Sequence, residues 1–344
     1  MLDRSLRDRY SRQTMFPPIG EAGQVKLNNS TAIVIGCGAL GSNIANLLVR
    51  AGVGRVRIVD RDFIEYHNLQ RQVLFDEDDI KAGLPKAIAA ERHLKKVNST
   101  VAIEGIVADV NYTNIERFCR DADVILDGLD NFETRFLIND VALKHKIPWV
   151  YGGAIASSGM TMTVVPGESP CLRCLFSVVP EGGNSLTCET AGIVGTVPAI
   201  IGSLQATEAI KLLIGAEPVN RGLTVIDAWK GTFNNLKIES RADCPACNGR
   251  YEFLETKFVV KTTSLCGQSR AVQVLNTGLS RVAFDDMAER LRPAGEVTYN
   301  EFMLRFTADG YEIFVFPDGR AIIKNTNDEA KARELYAKYV AGLE

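Results

Sequence analysis

Four cysteines fall in two C-x-x-C pairs, Cys171-Leu172-Arg173-Cys174 and Cys244-Pro245-Ala246-Cys247. Four thiolates on two short knuckles are the donor set that closes a tetrahedral Zn²⁺ site, and a closed four-sulfur site keeps no open position for a reacting molecule. The chemistry expected there is a staple between distant segments. A second set of residues points to a nucleotide. Gly36-Cys37-Gly38-Ala39-Leu40-Gly41 has G-x-G-x-x-G spacing, which lets backbone approach phosphates at a helix N-terminus. Asp60 follows where an acidic side chain can bind ribose hydroxyls. That pattern alone serves NAD as well as ATP. Arg71, Lys86 and Asp130 tilt the choice. Two cations and a carboxylate around one glycine-rich turn suit a triphosphate with Mg²⁺ better than a hydride donor.

These residues need a scaffold that brings them to one edge. The apolar run TAIVIG before the turn reads as a buried parallel strand, residues 42–51 as a helix closed by Gly52, and residues 56–59 as a second strand. The alternation continues with helix 84–96, strand 101–107, helix 115–119, strand 124–127, helix 133–144 and a strand from Trp149. It predicts an α/β fold, a Rossmann-like doubly wound sheet with its ligand at the carboxyl ends of the strands. Beyond Gly153 the pattern changes. Residues 159–165 alternate and predict an antiparallel extension, 181–190 a polar loop, 199–214 a helix, and 221–228 and 233–238 further strands. A first domain is expected over residues 1–255. A small C-terminal α/β domain is expected over 256–344, with strands at 271–275, 302–306, 311–316 and 321–324 and helices at 284–291 and 328–340.

Several separated motifs together resemble the ThiF/MoeB family, bacterial relatives of ubiquitin-activating enzymes. They are the turn at 36–41, Asp60, Asn68-Leu69-Gln70-Arg71-Gln72, Pro85-Lys86, Asp130-Asn131 and the opening Arg9-Tyr10-Ser11-Arg12-Gln13. The resemblance covers roughly residues 5–250. It implies adenylation: a small ubiquitin-like sulfur-carrier protein ending in Gly-Gly would attack the α-phosphate of ATP through its terminal carboxylate. By the same resemblance Arg71 and Lys86 neutralise phosphates, Asp130 holds Mg²⁺, and Asp60 holds the ribose. Arg12 reaches the ATP site of a neighbouring subunit, which implies a homodimer. Arg12, Gly36, Gly38, Ala39, Gly41, Asp60, Asp62, Asn68, Arg71, Lys86, Asp130 and Asn131 form the candidate nucleotide set. Family members commonly carry Gly where Ala39 stands.

Cys188, in the polar loop, corresponds to a family cysteine that in some members links covalently to the carrier and in others is dispensable. A catalytic and a non-catalytic role both stay open. Cys37 and Cys119 read as packing residues, and Cys266 lacks the loop-then-helix context of a sulfurtransferase. The formal net charge of -3 supplies no overall positive field, so a general nucleic-acid partner is not expected. The charged first residues do not form a secretory signal, and the longest apolar stretch, 191–204, is short for a bilayer span. A cytoplasmic protein is expected. An NAD-dependent oxidoreductase, an adenylating enzyme acting on a peptide or a tRNA base, and a non-catalytic zinc scaffold are the competing readings.

Overall fold

The computed structural model describes residues 4–178, 191–255, 262–265, 271–274 and 282–341. Cys188 and Cys266 lie outside the described residues, as does the polar loop expected at 181–190. The chain divides into two compact units, Met1–Phe258 and Val259–Glu344.

The first unit is built on one eight-stranded sheet. Its strands are β1 (Thr31–Ile35), β2 (Arg55–Asp60), β3 (Ala102–Val107), β4 (Val124–Asp127), β5 (Trp149–Ile155), β6 (Ser158–Val164), β7 (Leu223–Asp227) and β8 (Thr232–Leu236). The spatial order is β3-β2-β1-β4-β5-β6-β7-β8. The first five are parallel and the last three antiparallel, as the change of pattern beyond Gly153 predicts. β1 and β4 are buried almost throughout, because helices cover both faces. The chain winds outward from β1 to β3 and then returns to β4 on the other side of β1. The two turns that leave β1 and β4 therefore face each other at the topological switch point, the place where such sheets bind ligands.

Helices in this unit are α1 (Arg4–Arg9), α2 (Ser11–Thr14), α3 (Gly20–Asn28), α4 (Ala39–Ala51), α5 (Glu77–Lys81), α6 (Lys86–Val97), α7 (Ile115–Cys119), α8 (Phe132–His145), α9 (Leu172–Leu175) and α10 (Thr196–Ile214). α4, α6 and α10 pack on one face. α7, α8 and the cysteine-bearing segments share the apolar core on the other. α3 carries no sequence signal because its buried positions are Gly23, Gln24 and Leu27, which form no apolar stripe. α10 is longer than the apolar run that marks it. At 19 residues it is long and apolar enough to cross a membrane, yet half of its most apolar stretch is buried inside the fold. β8 stops at Leu236, two residues short of expectation, because its partner β7 begins at Leu223, opposite Leu236.

The second unit has a six-stranded antiparallel sheet in the order β11-β12-β13-β14-β10-β9. These are β9 (Thr262–Leu265), β10 (Ala271–Val274), β11 (Glu296–Tyr299), β12 (Leu304–Ala308), β13 (Tyr311–Val315) and β14 (Ala321–Lys324). Helices α11 (Phe284–Leu291) and α12 (Glu329–Tyr339) share one core with it, including Met287, Leu304, Phe306, Ile313, Ile323 and Leu335. β12 begins later than the strand expected at 302–306. The Asn300 side chain accepts from the backbone N–H of Phe302 (2.9 Å) and Met303 (3.0 Å), which turns that stretch into a loop. Asp328 caps α12, accepting from the N–H of Ala330 at 2.8 Å.

Candidate active site

The three glycines of the fingerprint do different work. Gly36 has φ +89°, and a Cβ there would lie 2.7 Å from the Gly128 backbone. A Cβ on Gly41 would lie 1.9 Å from the Gly36 carbonyl oxygen, and one on Gly128 2.2 Å from the same atom. Gly36, Gly41 and Gly128 thus let β1, α4 and the turn after β4 meet backbone to backbone. Gly38 differs. A Cβ there would find nothing nearer than Gln72 Nε2 at 3.8 Å and the Gly128 oxygen at 3.9 Å. This is the open cradle, and it sits at the N-cap of α4, whose first N–H groups lack helical partners. Ala39 is the first residue of that helix.

Asp60 ends β2 and reaches into the turn. One carboxylate oxygen accepts from the Cys37 N–H at 2.5 Å and the other from the Asp62 N–H at 2.7 Å. Burial pushes this carboxyl above its usual range, against the pull of Lys86. Lys86 opens α6, buried, with its ammonium 3.3 Å from Asp62. Burial disfavours its charge, but Asp62 and Asp60 outweigh that and hold the ammonium above the ordinary lysine value. Asp130 is exposed in the turn after β4 and lies within electrostatic reach of Lys86, Arg61 and Arg135. The structure therefore gathers Gly36–Gly41, Asp60, Asp62, Lys86 and Asp130 at one edge of the sheet.

Other residues of the set have local work as well. The Asn68 side chain accepts from the Glu65 N–H at 3.0 Å and closes a short helical turn. Asn131 caps α8 by accepting from the Thr134 N–H at 2.9 Å. Arg71 donates to the His67 carbonyl at 2.8 Å. Arg12 is exposed and donates to the Met15 sulfur. Its neighbours explain its place. The Tyr10 hydroxyl lies where a Gly52 side chain would be and accepts from Asn98 at 2.9 Å. Gln13 donates to the Ala51 carbonyl at 2.9 Å. This segment docks at the C-terminal end of α4, about 20 Å along that 13-residue helix from Gly38. Arg12 is therefore anchored at the end of α4 away from its own chain's turn.

Several residues here escape sequence reasoning. Asp127 and Arg135 form a buried ion pair at 2.9 Å. Arg135 also donates to the carbonyls of Leu129 (2.5 Å) and Gly152 (2.8 Å), with its guanidinium against the rings of Phe132 and Tyr151. Burial opposes the guanidinium charge, but Asp127 more than offsets it. The Gln205 amide bridges the carbonyls of Asp127 (2.9 Å) and Val150 (3.1 Å). Together these ties set the shape of the turn that presents Asp130. Arg61 pairs with Asp109 at 2.7 Å beside the site. The one available signal was the placement of Asp127 and Arg135 on either side of the Asp130-Asn131 turn.

On the far side of α8 the four knuckle cysteines converge. Their sulfurs lie 3.9 Å (171–174), 3.6 Å (171–244), 3.6 Å (174–247) and 3.4 Å (171–247) apart. Four sulfurs at zinc-bond length from a common centre would be separated by about 3.8 Å, so the donor set fits zinc in type and spacing. Cys171, Cys174 and Cys244 are buried, and the Arg241 N–H points at the Cys174 sulfur from 3.5 Å. α8 holds this lobe. Asn139 accepts from the Leu172 N–H at 2.9 Å, and Asp140 accepts from the N–H groups of Phe253 (2.9 Å) and Leu254 (3.3 Å). Cys37 and Cys119 are core residues, as their sequence context predicts.

Fold and site together define a nucleotide-binding α/β protein with a four-cysteine staple. The model of the ThiF family matches residues 10–246, and the chain belongs to that family. It is 44% identical over 338 residues to the sulfur carrier protein ThiS adenylyltransferase of Bacillus subtilis, covering 96% of this chain and 99% of that one. It is 38% identical over 246 residues to the sulfur carrier protein adenylyltransferase of Thermus thermophilus, covering 70% and 90% of the two chains. Among solved structures, Escherichia coli MccB with ATP superposes with a TM-score of 0.61 at 25% identity, covering 70% of this chain and 74% of that one. The Bacillus alignment is long enough to extend into the second unit.

Proposed function

We propose that this chain uses ATP to adenylate the C-terminal carboxylate of a small ubiquitin-like sulfur-carrier protein ending in Gly-Gly. One observation carries the reading: likeness to the Bacillus subtilis adenylyltransferase runs through almost the whole of both chains. A carboxylate oxygen of the carrier attacks the α-phosphorus, the bond to the bridging oxygen of the β-phosphate breaks, and an acyl-adenylate and pyrophosphate form. Two anions must meet, so the protein's task is to position them and offset their repulsion. The α4 N-terminus and the open space over Gly38 receive the phosphate chain. Lys86, kept charged by Asp62 and Asp60, neutralises it from the α6 side, and Arg71 adds a second cation. Asp60 serves the ribose. Asp130, exposed and presented by the Arg135 ties, would hold Mg²⁺, which would supply positive charge against the charge that develops on the phosphates.

The homodimer belongs to the same proposal. Arg12 is held at the far end of α4 from its own turn, so its service to a nucleotide needs a second subunit. The decisive experiment is exchange of labelled pyrophosphate into ATP in the presence of candidate carriers. Exchange that needs a free terminal Gly-Gly carboxylate is expected. No exchange with any such carrier would overturn the reading. Mixing Arg12→Ala with Asp130→Ala protein should restore exchange, because one mixed site has both residues intact.

A further inference from the structure

The four knuckle sulfurs are not equivalent. Cys171, Cys174 and Cys244 are buried, with 0%, 8% and 0% of each residue exposed, while Cys247 is exposed. Each buried sulfur also takes a backbone N–H. In both knuckles the N–H of the second cysteine folds back on the sulfur of the first, Cys174 on Cys171 and Cys247 on Cys244. The second cysteine of each pair depends on a neighbour instead. Arg241 serves Cys174, its N–H 3.5 Å from the sulfur. The residues after Cys247 have spent theirs. The Asn248 N–H donates to the Cys244 and Pro245 carbonyls, that of Gly249 to Ala246, and that of Arg250 to Pro245 at 2.9 Å. Among the described residues none is left to donate to the Cys247 sulfur, which faces only other sulfurs, Cys171 at 3.4 Å and Cys174 at 3.6 Å. A metal-bound cysteine is a thiolate, the form that oxidants meet, and hydrogen bonds to sulfur draw off the charge that makes it nucleophilic. Exposure and the missing donor therefore single out the same one of four.

We propose that Cys247 is a modification site for hydrogen peroxide, and that its oxidation opens the staple. This rests on the zinc reading of the lobe. The Cys247 sulfur attacks one peroxide oxygen: an S–O bond forms, the O–O bond breaks, and hydroxide leaves with the electron pair. The thiolate of Cys171 or Cys174, already alongside, then attacks the sulfenic sulfur: an S–S bond forms, the S–O bond breaks, and a second hydroxide leaves. Two thiolates have each given up one electron, and one peroxide has been reduced. Two cysteines remain of the four that a closed structural site needs, so the bridge releases the metal.

The test uses the full-length, zinc-loaded protein and hydrogen peroxide, with three readouts: zinc released to a chromogenic chelator, a peptide map of the first cysteine pair to form, and the melting temperature. In the parent, zinc release should keep pace with a bridge from Cys247 to Cys171 or Cys174. Dithiothreitol with added zinc should then restore the melting temperature. Cys247→His keeps a donor set of three thiolates and one imidazole, which still suits zinc. It should release zinc at least about tenfold more slowly, because only buried thiolates remain. Cys174→His leaves Cys247 in place and should stay as sensitive as the parent. Equal rates for Cys247→His and the parent, or equal resistance in the two variants, overturn the proposal. So does a first bridge that excludes Cys247, and that readout needs no variant to fold. In each of these cases the zinc staple itself stands. If the protein prepared with zinc holds none, the staple and the inference fall together.

Discussion

The N-terminus and the middle of α8 serve sites built on opposite plans. At its N-terminus the Asp130-Asn131 turn faces an open glycine cradle, where Asp130 is exposed and Gln72 keeps an unpartnered buried oxygen. At its middle, Asn139 and Asp140 hold a lobe in which four sulfurs face one another at 3.4–3.9 Å. The cysteine lobe closes on itself. The cradle leaves donors and charges for something that comes and goes. Stability and turnover are thus assigned to different residues on one helix. Polar groups left incomplete cost stability, about 1–3 kcal/mol for a buried unsatisfied atom.

Breaking the closed site should have the largest effect. Metal binding at such sites is coupled to folding. Stripping zinc with a strong chelator should lower the melting temperature by roughly 10 °C or more, while the protein that remains folded in the cold keeps its ATP affinity. An unchanged melting curve after verified zinc loss would remove the staple from the comparison. At the open site the loss should appear in activity alone. Asp130→Ala should reduce pyrophosphate exchange by about 10³-fold, as expected for a charge-stabilising group, and leave the melting temperature unchanged because Asp130 is exposed.

The glycine turn allows a sharper cut within one motif. Gly41→Ala forces a methyl group to within 1.9 Å of the Gly36 oxygen and should destabilise by about 3 kcal/mol or more in urea unfolding. Gly38→Ala meets no protein atom within 3.8 Å, so it should leave unfolding unchanged and weaken ATP binding about tenfold. Equal effects on stability would contradict the division of labour among the glycines.

The smallest effect concerns Asp140. Burial pushes its carboxyl up to about 7, against the N–H groups of Phe253 and Leu254. Between about pH 4 and 7 the folded protein holds a proton that the unfolded chain releases. The unfolded state then binds fewer protons, so stability falls as pH rises through that window and levels off above it. Asp140→Asn can still accept both backbone bonds. It should flatten this slope and gain about 1–2 kcal/mol over the parent at pH 8, measured by urea titration. Parallel pH curves for the two proteins would exclude the effect.

Much of this was legible in the chain. The parallel strands announce themselves as apolar runs because both faces are covered, and the C-x-x-C spacing names the metal site because few other chemistries want four thiols so arranged. Asp60 and Asp130 were marked by type and by position at strand ends, and Lys86 by type at a helix start. Other features leave no local signal. α3 buries glycine and glutamine, so its periodicity is silent. The strand β11 lies at a sheet edge with its side chains largely exposed, and no alternation betrays it.

Residue type and spacing thus determined the class of chemistry: a nucleotide turn, a charged set for phosphates and a zinc staple. Tertiary structure decided which residue does which part. Gly41 and Gly128 became packing residues because three backbones cross there, while of the three fingerprint glycines Gly38 kept open space. Arg12 was placed at the wrong end of α4 for its own site by the docking of Tyr10 and Gln13. Gln72 came to border the open cradle only through the fold. The physical reason is common to all three. A one-dimensional pattern records what each side chain can do, but desolvation and contact depend on neighbours that the fold brings from thirty to ninety residues away.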